Sequence, residues 1–244
     1  MTKVISIASG KGGVGKTTVT ANLGTALAQE GNKVAVIDGD TGLRNLDVLL
    51  GLENRIIYNL IDLANGDCEP HQALIQDKHN DDLYLLPTSQ QKNKNAISKR
   101  MMRKVIKTLK GNKLEFDYIL IDAPAGIEKG FQNATAVADE IIIVATPEMS
   151  SIRDADRVVG LLNAENLDKQ HLIVNRIKAD MVHKGEMLGL DEMIDILSIN
   201  VLGLIPESRR ITISTNRGLT ILNEKDEYKI QKHLNSIILY YLIL

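Results

Sequence analysis

The sequence predicts an α/β fold in which a three-layer, doubly wound, mainly parallel sheet of about seven strands carries helices on both faces. Short runs rich in Val and Ile alternate with helical patterns along the 244 residues, which is typical of successive β-α-β units. A glycine-rich loop joins the first strand to the first helix, and aspartates end two later strands. These polar residues would meet at the carboxyl ends of a parallel sheet. We expect one domain over residues 1–244.

The predicted strands and helices follow from the period of the apolar residues and from the Gly and Pro residues between them. The strands are residues 3–8, 33–38, 83–87, 116–122, 140–145, 171–176 and 201–206. The helices are residues 17–30, 58–65, 97–109, 152–163, with a serine cap, and 190–198.

Composition excludes several classes of protein. The formal net charge is -2 and the pI is near 6.2, so there is no overall basic field and no nucleic acid partner is expected. Cys68 is the single cysteine, which rules out an internal disulfide and argues against a cysteine-held metal or iron–sulfur cluster. The chain enters its first strand at once, so we expect no leader segment.

The glycine-rich loop fits the pattern G-x-x-x-x-G-K-[ST] over residues 10–17 and lies between a strand and a helix, as this phosphate-binding loop requires. Backbone N–H groups at the helix N-terminus would hold a triphosphate, and the glycines let the backbone approach it. Lys16 would contact the β- and γ-phosphates of ATP, and the Thr17 hydroxyl would ligate Mg²⁺. The alternative is a glycine-rich turn without a ligand. The predicted nucleotide contacts here are Gly10, Lys11, Gly12, Gly13, Val14, Gly15, Lys16, Thr17 and Thr18.

Lys11 occupies a position that is unrestricted in ordinary phosphate loops. The form K-G-G-x-G-K-[ST] resembles the deviant Walker A loop of the ParA/MinD superfamily. The resemblance implies that Lys11 reaches across a homodimer to the partner's nucleotide, with two subunits facing each other over two ATP molecules. The alternative is a solvated loop lysine.

Two predicted strands end on aspartates. Asp38 and Asp40 follow the second strand, and Asp122 ends the strand before a loop that contains Gly126. We predict that Asp38 and Asp122 join Thr17 in organising Mg²⁺ and that Asp40 positions the attacking water. Gly126 would let its loop move toward the γ-phosphate. The alternatives are a polar turn around Gly39 and an acid that merely ends a strand.

Three longer stretches are similar to the MinD family, the ATPases that position division sites in bacteria and plastids. They are D-G-D-T-G-L-R-N-L-D at 38–47, D-A-P-A-G-I-E at 122–128, where Ala123 replaces the family's serine, and P-E-M-S-S-I-R-D-A-D-R at 147–157. The resemblance covers roughly residues 3–210 and implies a fold, an activity and a set of partners.

The resemblance implies that Lys11, Lys16 and Asp40 are the catalytic residues. It also implies that Asp154 pairs with Lys11 when no dimer exists. Four further nucleotide contacts follow from it, of which the first reads the adenine edge and the last two flank the base. They are Asn175, Arg176, Pro206 and Glu207.

The family's activity implies a Mg²⁺-dependent ATPase that acts as a dimerising molecular switch in division-site placement. With ATP bound it would associate with an anionic membrane surface and recruit a MinC-like division inhibitor, and a MinE-like activator would then stimulate hydrolysis and release it. Its location would be the bacterial cytoplasm or the chloroplast stroma, peripheral on the inner membrane face. The alternatives are a ParA-like DNA-partition or flagellar-placement ATPase, and a nucleotide-gated scaffold with little turnover.

The C-terminal residues 226–244 are predicted to form a helix with an apolar end, because apolar residues recur at helical spacing and residues 237–244 are wholly apolar. These eight residues are too few to span a bilayer, which needs about 20. The last basic side chains are Lys229 and Lys232, so the electrostatic part of an interfacial helix is weak. Two interpretations stay open, namely a last core helix and a membrane contact.

The predicted helix at 97–109 has a basic exposed face that could contact an acidic partner or lipid. Because such runs are more often solvated, we interpret this face as ordinary surface. Its cations are Lys99, Arg100, Arg103, Lys104, Lys107 and Lys110.

Overall fold

The computed structural model describes residues 1–41, 45–89 and 97–224. The predicted C-terminal helix at 226–244 and part of the MinD-like stretch at 38–47 lie outside the described residues. The domain prediction of 1–244 therefore stays a prediction.

One sheet organises the described residues, and its strands have the order β3-β4-β2-β5-β1-β6-β7-β8. All neighbouring strands are parallel except β3 and β4. The strands are β1 (Lys3–Ala8), β2 (Val34–Asp38), β3 (Ile75–Gln76), β4 (Leu83–Leu86), β5 (Tyr118–Asp122), β6 (Glu140–Ala145), β7 (Gln170–Ile177) and β8 (Asn200–Pro206). The predicted doubly wound, mainly parallel sheet is confirmed, and β3 adds a two-residue strand to the seven that were predicted.

Helices lie between the strands along the chain. They are α1 (Lys16–Gln29), α2 (Leu46–Leu49), α3 (Leu60–Asn65), α4 (Pro70–Ala73), α5 (Lys99–Lys110), α6 (Lys129–Thr135), α7 (Met149–Ala164), α8 (Ala179–His183), α9 (Leu190–Leu197) and α10 (Arg209–Asn216), with 3-10 turns at Glu53–Arg55 and Ile221–Asn223.

The two faces of the sheet bury different helices because side chains alternate along each strand. In β1, Ile5 and Ile7 pack with α1, α2 and the 3-10 turn at Ile221–Asn223. Val4 points to the other face, where α3 and α5 pack on one half of the sheet. On the same face α7 and α9 cover the half formed by β6 and β7. The predicted layers on both faces are therefore present.

Three predicted helix starts differ from the structure by two or three residues. The helix predicted from residue 97 begins at Lys99, after the Ser98 cap. The helix predicted from residue 152 begins at Met149 after Glu148, and Ser151 is not its cap, because its hydroxyl accepts a hydrogen bond from the Thr146 N–H over 3.0 Å. The helix predicted from residue 58 begins at Leu60, since the Asn59 side chain accepts from the Ile61 N–H over 2.8 Å and so caps it. At Leu60 a polar side chain, rather than the apolar period, sets the first turn.

The register of the central strands places three loops together. Asp38 pairs with Asp122 across β2 and β5, and Ile7 pairs with Asp122 across β1 and β5. The carboxyl ends of these three strands are therefore level, and the loops that follow them converge at one edge of the sheet. Over the described part of the chain, helices both long and apolar enough to span a bilayer are absent.

Candidate nucleotide site

The phosphate loop joins β1 to α1, and its backbone requires glycine at Gly10 and Gly15. Gly15 is the N-cap of α1 with φ of 94°, a left-handed conformation that favours glycine. A Cβ on Gly10 would lie 2.3 Å from the Asp154 carbonyl oxygen, so the loop rests directly on the backbone of α7. The N-terminus of α1 thus opens into a loop without side-chain bulk, as an anion site requires.

Lys16 is buried at the start of α1 and bonds to Asp122 at the end of β5. Its Nζ donates to Asp122 Oδ1 over 2.7 Å, while the Thr17 hydroxyl donates to Asp122 Oδ2 over 2.7 Å. The Thr20 hydroxyl lies 3.2 Å from Asp122 Oδ1. Both oxygens of one carboxylate therefore accept hydrogen bonds from the phosphate-loop helix, which brings the predicted residues Lys16, Thr17 and Asp122 together.

Asp38 lies beside Asp122 in a nearly solvent-free position, with 1 % of its surface exposed. Burial, and next the neighbouring Asp122 carboxylate, raise the pKa of Asp38 well above its usual value. Its Oδ1 accepts from the Asp40 N–H over 3.0 Å, and its Oδ2 is buried without a hydrogen-bond partner among the described residues. Asp40 itself is half-buried at the mouth of the site.

These residues fit a Mg²⁺ ion because two carboxylates and a hydroxyl are hard oxygen ligands that converge, and one carboxylate oxygen lacks a partner. Mg²⁺ is ordinarily held by one or two carboxylates together with water and substrate phosphates. Groups of three or more His, Cys, Asp or Glu side chains suited to a metal are absent from the described ranges.

The loop after β5 contacts the phosphate loop through its backbone. The Gly126 N–H donates to the Ser9 carbonyl over 2.9 Å, and the Gly39 N–H donates to the Asp122 carbonyl over 3.0 Å. Gly126 has φ of 95°, a conformation that other residues rarely adopt. The three loops predicted to surround the phosphates are thus directly bonded to one another.

A cavity of about 310 Å³ opens beside the phosphate loop at the ends of β7 and β8. Its lining includes all four residues that the resemblance placed around the base, together with Gly15 and Thr18, and a second wall from α10 that sequence reasoning missed. That wall consists of Ser208, Ile211, Thr212, Thr215 and Asn216.

Asn175 and Arg176 are positioned by a bulge in β7. The pairing between β7 and β8 shifts between Asn175 and Ile177, and Arg176 has φ of 61°. The Asn175 side chain donates from Nδ2 to the Val14 carbonyl over 2.8 Å and so fixes the cavity against the phosphate loop. Glu207 is tied to Lys178 over 3.0 Å. The predicted base contacts are therefore continuous with the predicted phosphate contacts.

Lys11 differs from what the resemblance implies in this single-subunit structure. Its Nζ lies 3.2 Å from Ser150 Oγ and 3.7 Å from Glu148 Oε2, both at the start of α7. Asp154, the implied partner of Lys11, instead pairs with Arg157 at 3.3 Å, one turn along the same helix. The side chain of Lys11 is 44 % exposed. The expected pairing is thus wrong in its acid, although Lys11 does bond within its own subunit to α7.

Comparison with known proteins agrees with this geometry. The sequence model of a family described as AAA domain matches residues 2–173. The septum site-determining protein MinD of Synechocystis is 51% identical over 92% of this chain and 84% of its own length.

Two solved structures are similar to the whole described fold. The MinC:MinD cell division protein complex of Aquifex aeolicus gives a TM-score of 0.91 at 46% identity, covering 99% of this chain and 96% of that one. The septum site-determining protein MinD of Pyrococcus horikoshii, complexed with Mg-ADP, gives 0.85 at 33% identity, covering 97% and 94%.

The parallel sheet, the glycine loop at the start of α1 and the buried Lys16–Asp122 pair define a P-loop ATPase. Within the P-loop ATPases, the sequence identities above and the family match over residues 2–173 indicate one family. The chain belongs to the MinD family of septum site-determining ATPases.

Proposed function

We propose that this ATPase is a Mg²⁺-dependent switch that dimerises with ATP, associates with an anionic membrane face and recruits a division inhibitor. The observation that carries the proposal is the position of Lys11. Its half-exposed ammonium lies at the rim of the phosphate loop, where a second subunit could approach it, whereas Lys16 of the same loop is buried.

Hydrolysis would use residues that the structure brings together. Lys16 would leave Asp122 Oδ1 and donate to the β- and γ-phosphates, and the Thr17 hydroxyl would leave Asp122 Oδ2 as it turns to Mg²⁺. Thr17, Asp38 and Asp122 would hold Mg²⁺, which supplies neutralisation of the phosphate charge. Asp40, at the mouth of the site, orients the attacking water.

Dimerisation would exchange the partners of Lys11. In the single subunit Ser150 and Glu148 hold the ammonium by contacts that are largely exposed and therefore weak. A triphosphate in a facing subunit offers a denser negative charge, so Lys11 transfers to it at small cost. The homodimer thereby joins two ATP molecules across the interface.

Partners follow from the relatives. The Aquifex relative was solved as a MinC:MinD complex, which supports a MinC-like division inhibitor as a partner of this chain. A MinE-like activator would accelerate hydrolysis and return the protein from the membrane. The corresponding location is the bacterial cytoplasm or the chloroplast stroma, peripheral on the inner membrane face.

The test compares Lys11→Ala and Asp40→Ala with the unchanged protein by light scattering and phosphate release in Mg-ATP. Lys11→Ala should abolish ATP-dependent dimers, and Asp40→Ala should keep dimers but lose turnover. Lys169→Ala, a change at an exposed lysine far from the loop, serves as the control. Dimers and turnover that survive Lys11→Ala unchanged would refute the switch.

A further inference from the structure

Helix α5 carries an uninterrupted basic surface. Six of its residues are Lys or Arg, none is acidic, and all six cations are exposed. We call this surface the α5 basic face. It consists of Lys99, Arg100, Arg103, Lys104, Lys107 and Lys110.

The α5 basic face is held rigidly because the opposite side of the helix is core. Met102, Val105 and Leu109 are at most 1 % exposed and pack beneath β2, β4 and β5. The Ser98 hydroxyl accepts from the Met101 N–H over 3.3 Å and caps the helix. At 1.5 Å per residue the twelve residues of α5 present the cations along about 18 Å.

Few of these charges are neutralised within the protein. Lys110 lies 3.6 Å from Asp139, and for the other five cations no ion pair occurs within the part of the chain that the structure describes. Lys99, Arg103 and Lys107 repel one another at intervals of four residues. Lys99 and Arg100 also stand in the first turn, where the helix dipole disfavours cations. The cations of the first turn and the row of like charges oppose helix stability, whereas Lys107 and Lys110 in the last turn complement the helix dipole.

The part of the sequence outside α5 has an acidic net charge. The formal net charge is -2 although α5 alone contributes six positive charges, so the rest of the chain carries eight negative charges in excess. The α5 basic face would therefore be attracted to an anionic surface, whereas the acidic remainder of the protein would be repelled from it. The two effects together would orient the molecule.

We propose that the α5 basic face is a docking surface for the head groups of an anionic lipid bilayer. This inference rests on the membrane association proposed above and gives it a site within the folded domain, separate from residues 226–244. Four to eight clustered Lys and Arg residues on a helix are what recognition of anionic lipid uses.

The chemistry of the face favours a bilayer over other anionic partners. A protein interface is usually anchored by aromatic and Arg side chains that fill pockets, whereas α5 has no aromatic residue and its apolar side chains are buried or half-buried. A formal net charge of -2 gives no broad basic field of the kind that a nucleic acid duplex uses. A bilayer can bind the protein through the α5 basic face alone.

The experiment measures co-sedimentation of the full chain, in Mg-ATP, with vesicles of phosphatidylcholine that contain phosphatidylserine. The double variant Lys99→Gln with Lys107→Gln removes two cations from one row, and Gln preserves helix propensity. We expect binding to fall about 25-fold, from about fivefold for each cation near an anionic surface. Raising the salt should abolish the difference between the proteins.

The matched control is Lys169→Gln with Lys184→Gln, two exposed lysines elsewhere that change the net charge equally. It should bind within about twofold of the unchanged chain. If the unchanged chain does not bind these vesicles, both the proposed membrane association and the proposed docking surface are wrong. If the unchanged chain binds and the α5 variant binds equally well, only the docking surface is wrong. Lost affinity for duplex DNA with unaltered vesicle binding would assign the face to nucleic acid and also overturn the proposal.

Discussion

Lys16 Nζ and Asp122 Oδ1 form an ion pair of 2.7 Å in which the two side chains are only 8% and 2% exposed. The pair lies where a bound nucleotide would place negative phosphates near Lys16 and a positive Mg²⁺ ion near Asp122. Without ligand, Lys16 and Asp122 neutralise each other; with ligand, each would take a new partner. The pair thus keeps two buried charges compensated in both states.

Replacing Lys16 with Met should destabilise the nucleotide-free protein by about 3 kcal/mol, because removing one partner of a buried pair leaves an uncompensated carboxylate. The measurement is urea unfolding in EDTA without nucleotide. Adding Asp122→Asn to this variant should recover at least half of the loss, since the buried charge is then gone as well. A single variant as stable as the unchanged protein would contradict the pairing.

Asp38 should make the nucleotide-free protein less stable as the pH rises. Burial raises the pKa of Asp38 above the ordinary 3.8, so the folded state binds more protons than the unfolded state between 3.8 and the folded pKa. Stability therefore falls as the pH increases through that window. Asp38→Asn removes this dependence and should be more stable at neutral pH.

The check on Asp38 is a series of urea midpoints in EDTA from pH 4 upward, compared between the two proteins. The difference between them should grow with pH and then level off above the folded pKa. Equal pH dependence in both proteins would show that Asp38 ionises as it does in water.

Gly10→Ala should cost about 1–3 kcal/mol of stability, because the new Cβ would lie 2.3 Å from the Asp154 carbonyl oxygen and backbone cannot easily yield. Gly12→Ala is the matched control in the same loop, since nothing lies within 4 Å of a Cβ there. Thermal unfolding without nucleotide separates the two, and similar losses at Gly10 and Gly12 would argue against direct contact between the loop and α7.

Asn22→Ala should loosen the 3-10 turn at Ile221–Asn223. Asn22 is 3 % exposed; it donates to the Thr18 carbonyl over 2.8 Å and accepts from the Ile221 N–H over 3.0 Å. Leaving that buried N–H unsatisfied should cost about 1–3 kcal/mol and accelerate its hydrogen exchange. Gln29→Ala, which breaks a longer and more exposed contact to the same turn, should change exchange at Ile221 little.

The sheet and the phosphate site could be predicted because their signals are local. Seven strands appear as apolar runs, and residues 10–17 carry a motif whose flanking strand and helix are visible beside it. Asp38 and Asp122 could be placed together from one rule, that parallel strands end at one edge, and β2 and β5 do pair there.

The remaining features depend on contacts between distant residues. β3 has two residues, too few to show a period. The polar residues of α10 resemble any surface helix, and only the bulge at Arg176 and the end of β8 turn them into a cavity wall. The Asn22–Ile221 bond spans 199 positions. The contacts of Lys11 with Glu148 and Ser150 depend on where α7 begins, and the apolar period placed that start three residues too late.

The two parts of the nucleotide site belong to different regions of the sheet. The phosphate residues come from the central strands β1, β2 and β5, whereas the base cavity is built by β7, by β8 at the sheet edge and by α10. A single molecule bound in both the phosphate site and the base cavity would connect the central strands of the sheet to its edge. Binding of such a molecule would therefore protect β8 and α10 against proteolysis and hydrogen exchange. Conversion of the bound molecule to a shorter product would first change the contacts at the central strands, while the base kept its contacts at the sheet edge.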